Sequence, residues 1–120
     1  MNDTTYAKGY ELECKDDCGL NNMKQEIVDM CNAVRLICGF ALHFNSGCRC
    51  EIHNKNEGGK KSSSHKDGEA VDISCTDDTK RFILIAALQA VGFKRILVYK
   101  TFIHVDISKT KKRIILKLMF

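Results

Sequence analysis

Two short stretches of the chain carry the side chains best suited to chemistry. The first is Ser63-Ser64-His65-Lys66-Asp67-Gly68-Glu69-Ala70-Val71-Asp72, which sets an imidazole and a carboxylate seven positions apart with a glycine between them. The second is Phe102-Ile103-His104-Val105-Asp106-Ile107-Ser108. An imidazole nitrogen and a carboxylate oxygen are half of an open zinc site. Two imidazoles and one carboxylate leave a fourth tetrahedral position free, which separates catalytic from structural zinc. His65, Asp72 and His104 form such a set. An ion held this way lowers the pKa of its bound water from about 15.7 to near 7 and polarises a carbonyl. Asp106 has two open roles beside it: accepting the water's proton as a general base, or orienting a histidine from behind.

The elements around these residues must bring them together. Gly68 argues against a continuous helix through the first stretch, since glycine costs roughly 1 kcal/mol against alanine inside one. Beyond it, Ala70–Cys75 alternates as a strand, with Val71 and Ile73 toward a core and Asp72 on the opposite side. Phe102–Ile107 alternates too: Ile103, Val105 and Ile107 form an apolar stripe, while His104 and Asp106 share the other face with Phe102 and Ser108. His65 thus belongs to a loop, and Asp72 to the strand that the loop enters.

The rest of the chain reads as α+β. Residues 1–20 are irregular. Asn22 and Gln25 form a capping pair for a helix to about Cys38, with Met23, Ile27, Met30, Cys31, Val34, Ile37 and Cys38 at helical spacing and Gly39 as its stop. Phe40–Phe44 reads as a strand in which His43 is partly exposed. Asn45–Glu69 is a long polar loop, of a length that is usually functional in a small domain, with a short helix near Glu51–Lys55. Thr76 caps a second helix whose first turn holds Asp77 and Asp78. Its stretch Phe82–Val91 is apolar almost all round, which predicts a buried helix stopped by Gly92. Ile96–Tyr99 and Phe102–Ile107 form a hairpin through Lys100-Thr101, and Ile114–Phe120 is a last strand. The expected architecture is two helices packed on a mainly antiparallel sheet.

At 120 residues, with 44% apolar and 28% charged residues, the chain is expected to be one soluble domain over 1–120. It has no run near the roughly 18 to 20 apolar residues of a membrane span. Met1–Thr5 lacks the basic and apolar segments of a signal peptide, so synthesis in the cytoplasm is expected. The net charge of +4 draws on Lys60 and Lys61 and on the basic end at Lys109, Lys111, Lys112 and Arg113. We read these as a solvated edge. No aromatic platform interleaves with them, so nucleic acid is not an expected partner, and a monomer is expected. A basic nucleic-acid-binding domain with incidental zinc would instead show strongly salt-dependent binding. The seven cysteines are read as mostly reduced. Cys31, Cys38 and Cys75 fall at core positions, while the spacings of Cys14, Cys18, Cys48 and Cys50 are not those of the usual four-thiolate zinc knuckle.

Ser63-x-His65-x-x-Gly68-x-Ala70-x-Asp72 followed by Ile103-His104-Val105-Asp106 resembles the zinc D-Ala-D-Ala carboxypeptidase family. That family shares its fold with the hedgehog signalling domain and the vancomycin-resistance dipeptidases. Upstream, Ser46-Gly47-Cys48-Arg49-Cys50-x-x-His53-Asn54 and then Gly58-Gly59 resemble the family's Ser-Gly-Tyr-Arg-Cys-x-x-His-Asn and Gly-Gly pattern. The likeness runs from about Cys14 to Ser108. It implies the hedgehog/DD-peptidase fold, one zinc ion on His65, Asp72 and His104, and peptidoglycan stem peptides as substrate. Arg49 matches the family arginine associated with the substrate's terminal carboxylate, so it is implied in both catalysis and binding; a guanidinium fork suits a carboxylate on its own chemistry. Ser63 matches a position that supports the site or contacts substrate, and His53 and Asn54 match loop positions. Two departures stand out. Thr101 occupies the place, three before His104, where many members carry the acidic general base, which makes Asp106 the nearest candidate. Cys48 stands where a tyrosine is usual. The expected function is a zinc D-Ala-D-Ala carboxypeptidase or related endopeptidase. Its expected setting is that of phage or prophage lysis enzymes, reaching the wall on release. The rival is a zinc-binding recognition domain of the same fold without catalysis.

Overall fold

Alternation and capping account for most of the elements in the computed structural model, which describes residues 24–47, 68–108 and 114–119. The expectations for residues 1–20, for a helix near Glu51–Lys55 and for the cysteines Cys14, Cys18, Cys48 and Cys50 lie outside these residues.

Helix α1 (Gln25–Cys38) ends on Gly39 in the left-handed region (φ 77°), whose amide donates to the Arg35 carbonyl at 3.1 Å. Glycine adopts that conformation without the steric cost a Cβ would bring. The residue before the helix is Lys24, which makes no side-chain cap; its amide instead donates to the Gly68 carbonyl at 2.9 Å. That bond ties the start of α1 to the turn from which strand β2 departs. The buried stripe is Ile27, Val28, Cys31 and Val34. Ile37, expected inside, is 57% exposed, and Val28 takes the inward position in the first turns. The strand expected over Phe40–Phe44 lies later, as β1 (Phe44–Ser46), although the His43 carbonyl already accepts from the Ser74 amide at 2.8 Å.

Helix α2 (Asp78–Val91) is capped by Asp77, one residue after the expected Thr76; its carboxylate accepts from the Lys80 amide at 2.8 Å. Gly92, at φ 96°, ends it. The helix is not buried all round. Leu84, Ala87 and Leu88 face inward, while Phe82 is 77% exposed. An apolar composition marks which residues can be buried, but the helix offers the sheet only one side.

Strands β2 (Ala70–Ser74), β3 (Arg95–Val98), β4 (Phe102–Asp106) and β5 (Ile114–Leu118) join β1 in one sheet of order β1-β2-β4-β3-β5. All its pairings are antiparallel except β3 with β5, which run parallel, so the sheet is mixed but mainly antiparallel. The two helices pack on each other, and their inward residues share a hydrophobic cluster with Val71, Ile73, Ile96, Val98, Ile103 and Val105. Each such aliphatic side chain contributes about 1.5–3 kcal/mol on burial. The alternate residues of the same strands point to the opposite face of the sheet, and there the chemistry lies.

Candidate metal centre on the sheet face

The register of three strands builds the site. In β2 and β4, Asp72 stands opposite His104 and Ala70 opposite Asp106; in β4 and β3, His104 faces Leu97 and Asp106 faces Arg95. Directly opposed residues project from the same side of a sheet. Asp72, His104, Asp106 and Arg95 therefore share one face, while Val71, Ile73, Ile103 and Val105 fill the other.

The side chains meet in a linear chain of contacts. His104 Nδ1 lies 2.9 Å from Asp72 Oδ1, and His104 Nε2 lies 2.8 Å from Asp106 Oδ2. Asp106 is fully buried; its Oδ1 accepts from the Ser108 amide at 3.2 Å, and its Oδ2 lies 3.6 Å from Arg95 Nε. Burial pushes the His104 pKa down, but the hydrogen bonds and charges of Asp106 and Asp72 outweigh it, and the net displacement is upward. The two carboxylates therefore shift the metal-free ring toward the imidazolium form, in which both ring N–H groups donate to carboxylates.

The two flanking carboxylates differ in kind. Asp72 faces the ring nitrogen that points across to β2. Asp106 meets the other ring nitrogen and is wholly buried, with His104 and Arg95 near Oδ2 and the Ser108 amide at Oδ1. A carboxylate in that position is placed to orient an imidazole. The contact with His104 Nε2 is the one that the orienting role requires.

The hairpin that carries His104 is itself braced. Tyr99 and Phe102 stack with ring centroids 4.5 Å apart, the Tyr99 amide donates to the Phe102 carbonyl at 2.9 Å, and the Cys75 amide donates to the Thr101 carbonyl at 2.9 Å. Arg81 on α2 donates to the carbonyls of Lys100 at 2.6 Å and Cys75 at 3.2 Å. Thr101 is exposed at the tip of the hairpin, with no carboxylate to offer.

The donor set fits half of a zinc site. Two ligands on one tetrahedral ion with bonds of about 2.0–2.2 Å stand roughly 3.4 Å apart; Asp72 Oδ1 and His104 Nδ1, at 2.9 Å, need open by only a small movement. Among the described residues, no group of three or more His, Cys, Asp or Glu side chains gathers as a metal site. The expected third ligand, His65, lies outside the described residues, as do Arg49 and Ser63 and the loop positions His53 and Asn54. Of the expected site residues, the structure therefore brings together Asp72, His104 and Asp106. Sequence reasoning passed over Arg95. The signal was available: a hairpin turning at Lys100-Thr101 sets Tyr99 against Phe102, Leu97 against His104 and Arg95 against Asp106.

No curated protein matches the chain closely enough to count as a relative. A Peptidase M15 family model matches residues 6–106, a span that includes every expected ligand, and the chain belongs to that family.

Proposed function

We propose that this member of the Peptidase M15 family is a zinc-dependent peptidase of the hedgehog/DD-peptidase fold. Its substrates are peptidoglycan stem peptides, cut as by a D-Ala-D-Ala carboxypeptidase or a related endopeptidase. The observation that carries this reading is the opposition of Asp72 and His104 across β2 and β4, with an oxygen and a ring nitrogen 2.9 Å apart on the polar face of the sheet. Membership of a metallopeptidase family supports it.

In this reading Asp72, His104 and His65 hold the metal. Zinc, when bound, supplies a Lewis acid that brings water ionisation down to near pH 7 and polarises a peptide carbonyl. Asp106 accepts the Nε2 proton of His104, so that Nδ1 keeps its lone pair for the ion; second-sphere carboxylates of this kind fix both ring orientation and tautomer. Arg49 binds the terminal carboxylate of the stem peptide through its guanidinium fork, and Ser63 supports the same pocket. Ala70 and Leu97, buried on the same face of the sheet, keep the carboxylate–imidazole pair in a low-dielectric setting, where its electrostatics are strongest. The setting in this reading is that of a phage or prophage lysis enzyme acting on the wall.

A second reading, a zinc-binding recognition domain without catalysis, is favoured by two observations. Thr101 replaces the acidic residue that many members use as base, and Asp106 meets His104 and the Ser108 amide. The deciding experiment is a mass-resolved digest of purified peptidoglycan with the zinc-loaded protein, with His104→Ala as control. Release of D-alanine or of cleaved stem peptides by the wild type alone is the expected result, and the fragment masses name the bond. One equivalent of bound zinc with no release would overturn the peptidase and leave the recognition domain.

A further inference from the structure

We propose that Arg95 is a positioning residue of the metal site: by fixing the carboxylate of Asp106 it fixes His104, although it touches neither metal nor substrate. The zinc-peptidase reading enters this inference only through its metal readout. Arg95 opens β3 and stands directly opposite Asp106 in the β3–β4 ladder. Its Nε lies 3.6 Å from Asp106 Oδ2, the same oxygen that His104 Nε2 meets at 2.8 Å. The Arg95 side chain is 15% exposed and the Asp106 side chain not at all, so the pair is shielded from water. Among the described residues Arg95 Nε has no hydrogen bond, and the Asp106 carboxylate, at 3.6 Å, is the anionic group beside it.

The physical need is clear from the order of charges. Asp72, His104, Asp106 and Arg95 alternate acid, base, acid, base across β2, β4 and β3. A carboxylate with no exposed surface is costly unless a cation and hydrogen bonds compensate it. His104 and the Ser108 amide supply the hydrogen bonds, and Arg95 supplies the cation that remains when His104 gives its Nδ1 side to a metal. Without that cation, Asp106 loses the contact that holds its Oδ2 against His104 Nε2, and the ring loses the acceptor that orients it.

The sign of the effect separates positioning from simple electrostatics. Removing a positive charge near a dication should tighten zinc by Coulomb attraction alone. Loss of a positioning contact should weaken it, by about tenfold on the scale of second-sphere changes. Zinc affinity is measured by competition with a chromophoric chelator for wild type, Arg95→Met, Arg95→Lys, Asp106→Asn and the double variant Arg95→Met/Asp106→Asn. The expected pattern is weaker zinc in Arg95→Met and partial recovery in Arg95→Lys. Arg95→Met should have no further effect once Asp106→Asn is present, since the two act as one unit. A second readout uses the metal-free, 15N-labelled protein. The ring Nε2–H of His104 should give a slowly exchanging resonance in the wild type, broadened in Arg95→Met and recovered in Arg95→Lys. Unchanged or tighter zinc together with an unchanged Nε2–H resonance in Arg95→Met would overturn the proposal. If the wild type binds no zinc but the resonance still follows Arg95, the peptidase reading fails and the positioning role stands. Should Arg95→Met not fold, Arg95→Lys against wild type carries both readouts, and no difference in either would overturn the proposal.

Discussion

Replacing Asp106 by asparagine tests which of its two roles this carboxylate plays, and the structure sets the magnitudes. Asp106 meets two donors, His104 Nε2 at 2.8 Å through Oδ2 and the Ser108 amide at 3.2 Å through Oδ1. Asparagine keeps the shape but has one acceptor oxygen. If that oxygen serves His104, the amide NH2 faces the Ser108 N–H, donor against donor. A buried donor left unpaired costs about 1–3 kcal/mol. The ring meanwhile exchanges a charge-assisted acceptor for a neutral one, which is roughly half as strong. Zinc affinity should therefore fall about 10- to 100-fold, the range typical of such second-sphere changes. At saturating zinc, most of the wild-type turnover should return, because the ligands themselves are intact.

A general base behaves in the opposite way. Its loss leaves metal affinity close to wild type and removes about 10²- to 10⁴-fold in rate at any zinc concentration. The assay is chelator competition for zinc, paired with turnover on purified stem peptides across a zinc titration. Thermal melts of the metal-free protein report the expected loss of stability. Unchanged zinc affinity with turnover abolished at saturating metal would refute the positioning reasoning and return Asp106 to the role of base.

Other residues give independent tests. Cys31 is fully buried on α1, and burial pushes its thiol from 9.0 up to about 12; it should resist a thiol reagent at pH 8 in the native protein and react on unfolding. Because the unfolded chain loses that proton first, this thiol should lower stability as pH rises from about 9 toward about 12, by up to about 1.4 kcal/mol per unit. Denaturant melts of wild type and Cys31→Ala across that window check the slope. Arg81→Ala leaves the carbonyls of Lys100 and Cys75 without their guanidinium donor and should cost about 1–3 kcal/mol in a denaturant melt. Asp77→Ala removes the cap on the Lys80 amide and should cost about 1 kcal/mol, read as a lowered Tm. Phe82→Ser, at a position 77% exposed, should change stability by no more than about 0.5 kcal/mol.

The part of the site carried on strands was legible because alternation is a strict code. Ile103 and Val105 on one side of β4 force His104 and Asp106 to the other, and the same holds for Val71, Ile73 and Asp72 in β2. The glycine stops at Gly39 and Gly92 were legible for a similar reason, since few residues accept a positive φ. Composition misled where burial depends on which side of an element meets the core. Ile37 and Phe82 are as apolar as their buried neighbours, yet tertiary placement leaves them exposed. The start of β1 was misread because Phe40–Phe44 is apolar enough for a strand, whereas its pairing with β2 begins only at Phe44. Strand β5 was legible, but its parallel pairing with β3 could not be read from local pattern, because that neighbour is chosen by the sheet and not by a turn.

The residues that hold the sheet together and those that form the site alternate along the same strands, so fold and chemistry cannot be varied independently. A slip of one residue between β2 and β4 would turn His104 and Asp106 into the hydrophobic cluster and carry Ile103 and Val105 onto the polar face. Burying an imidazole and a carboxylate there without partners would cost several kcal/mol, a large part of the roughly 5–15 kcal/mol that a domain has in total. The apolar stripe thus selects the register, and the register places Asp72 opposite His104. The same counting places Arg95 opposite Asp106 by way of the tight hairpin, so one turn at Lys100-Thr101 determines the counter-charge of the carboxylate that meets His104. Lengthening this hairpin by one residue should therefore lower zinc affinity more than it lowers the melting temperature of the metal-free protein. Equal loss in both would mean that the register is held by the core alone.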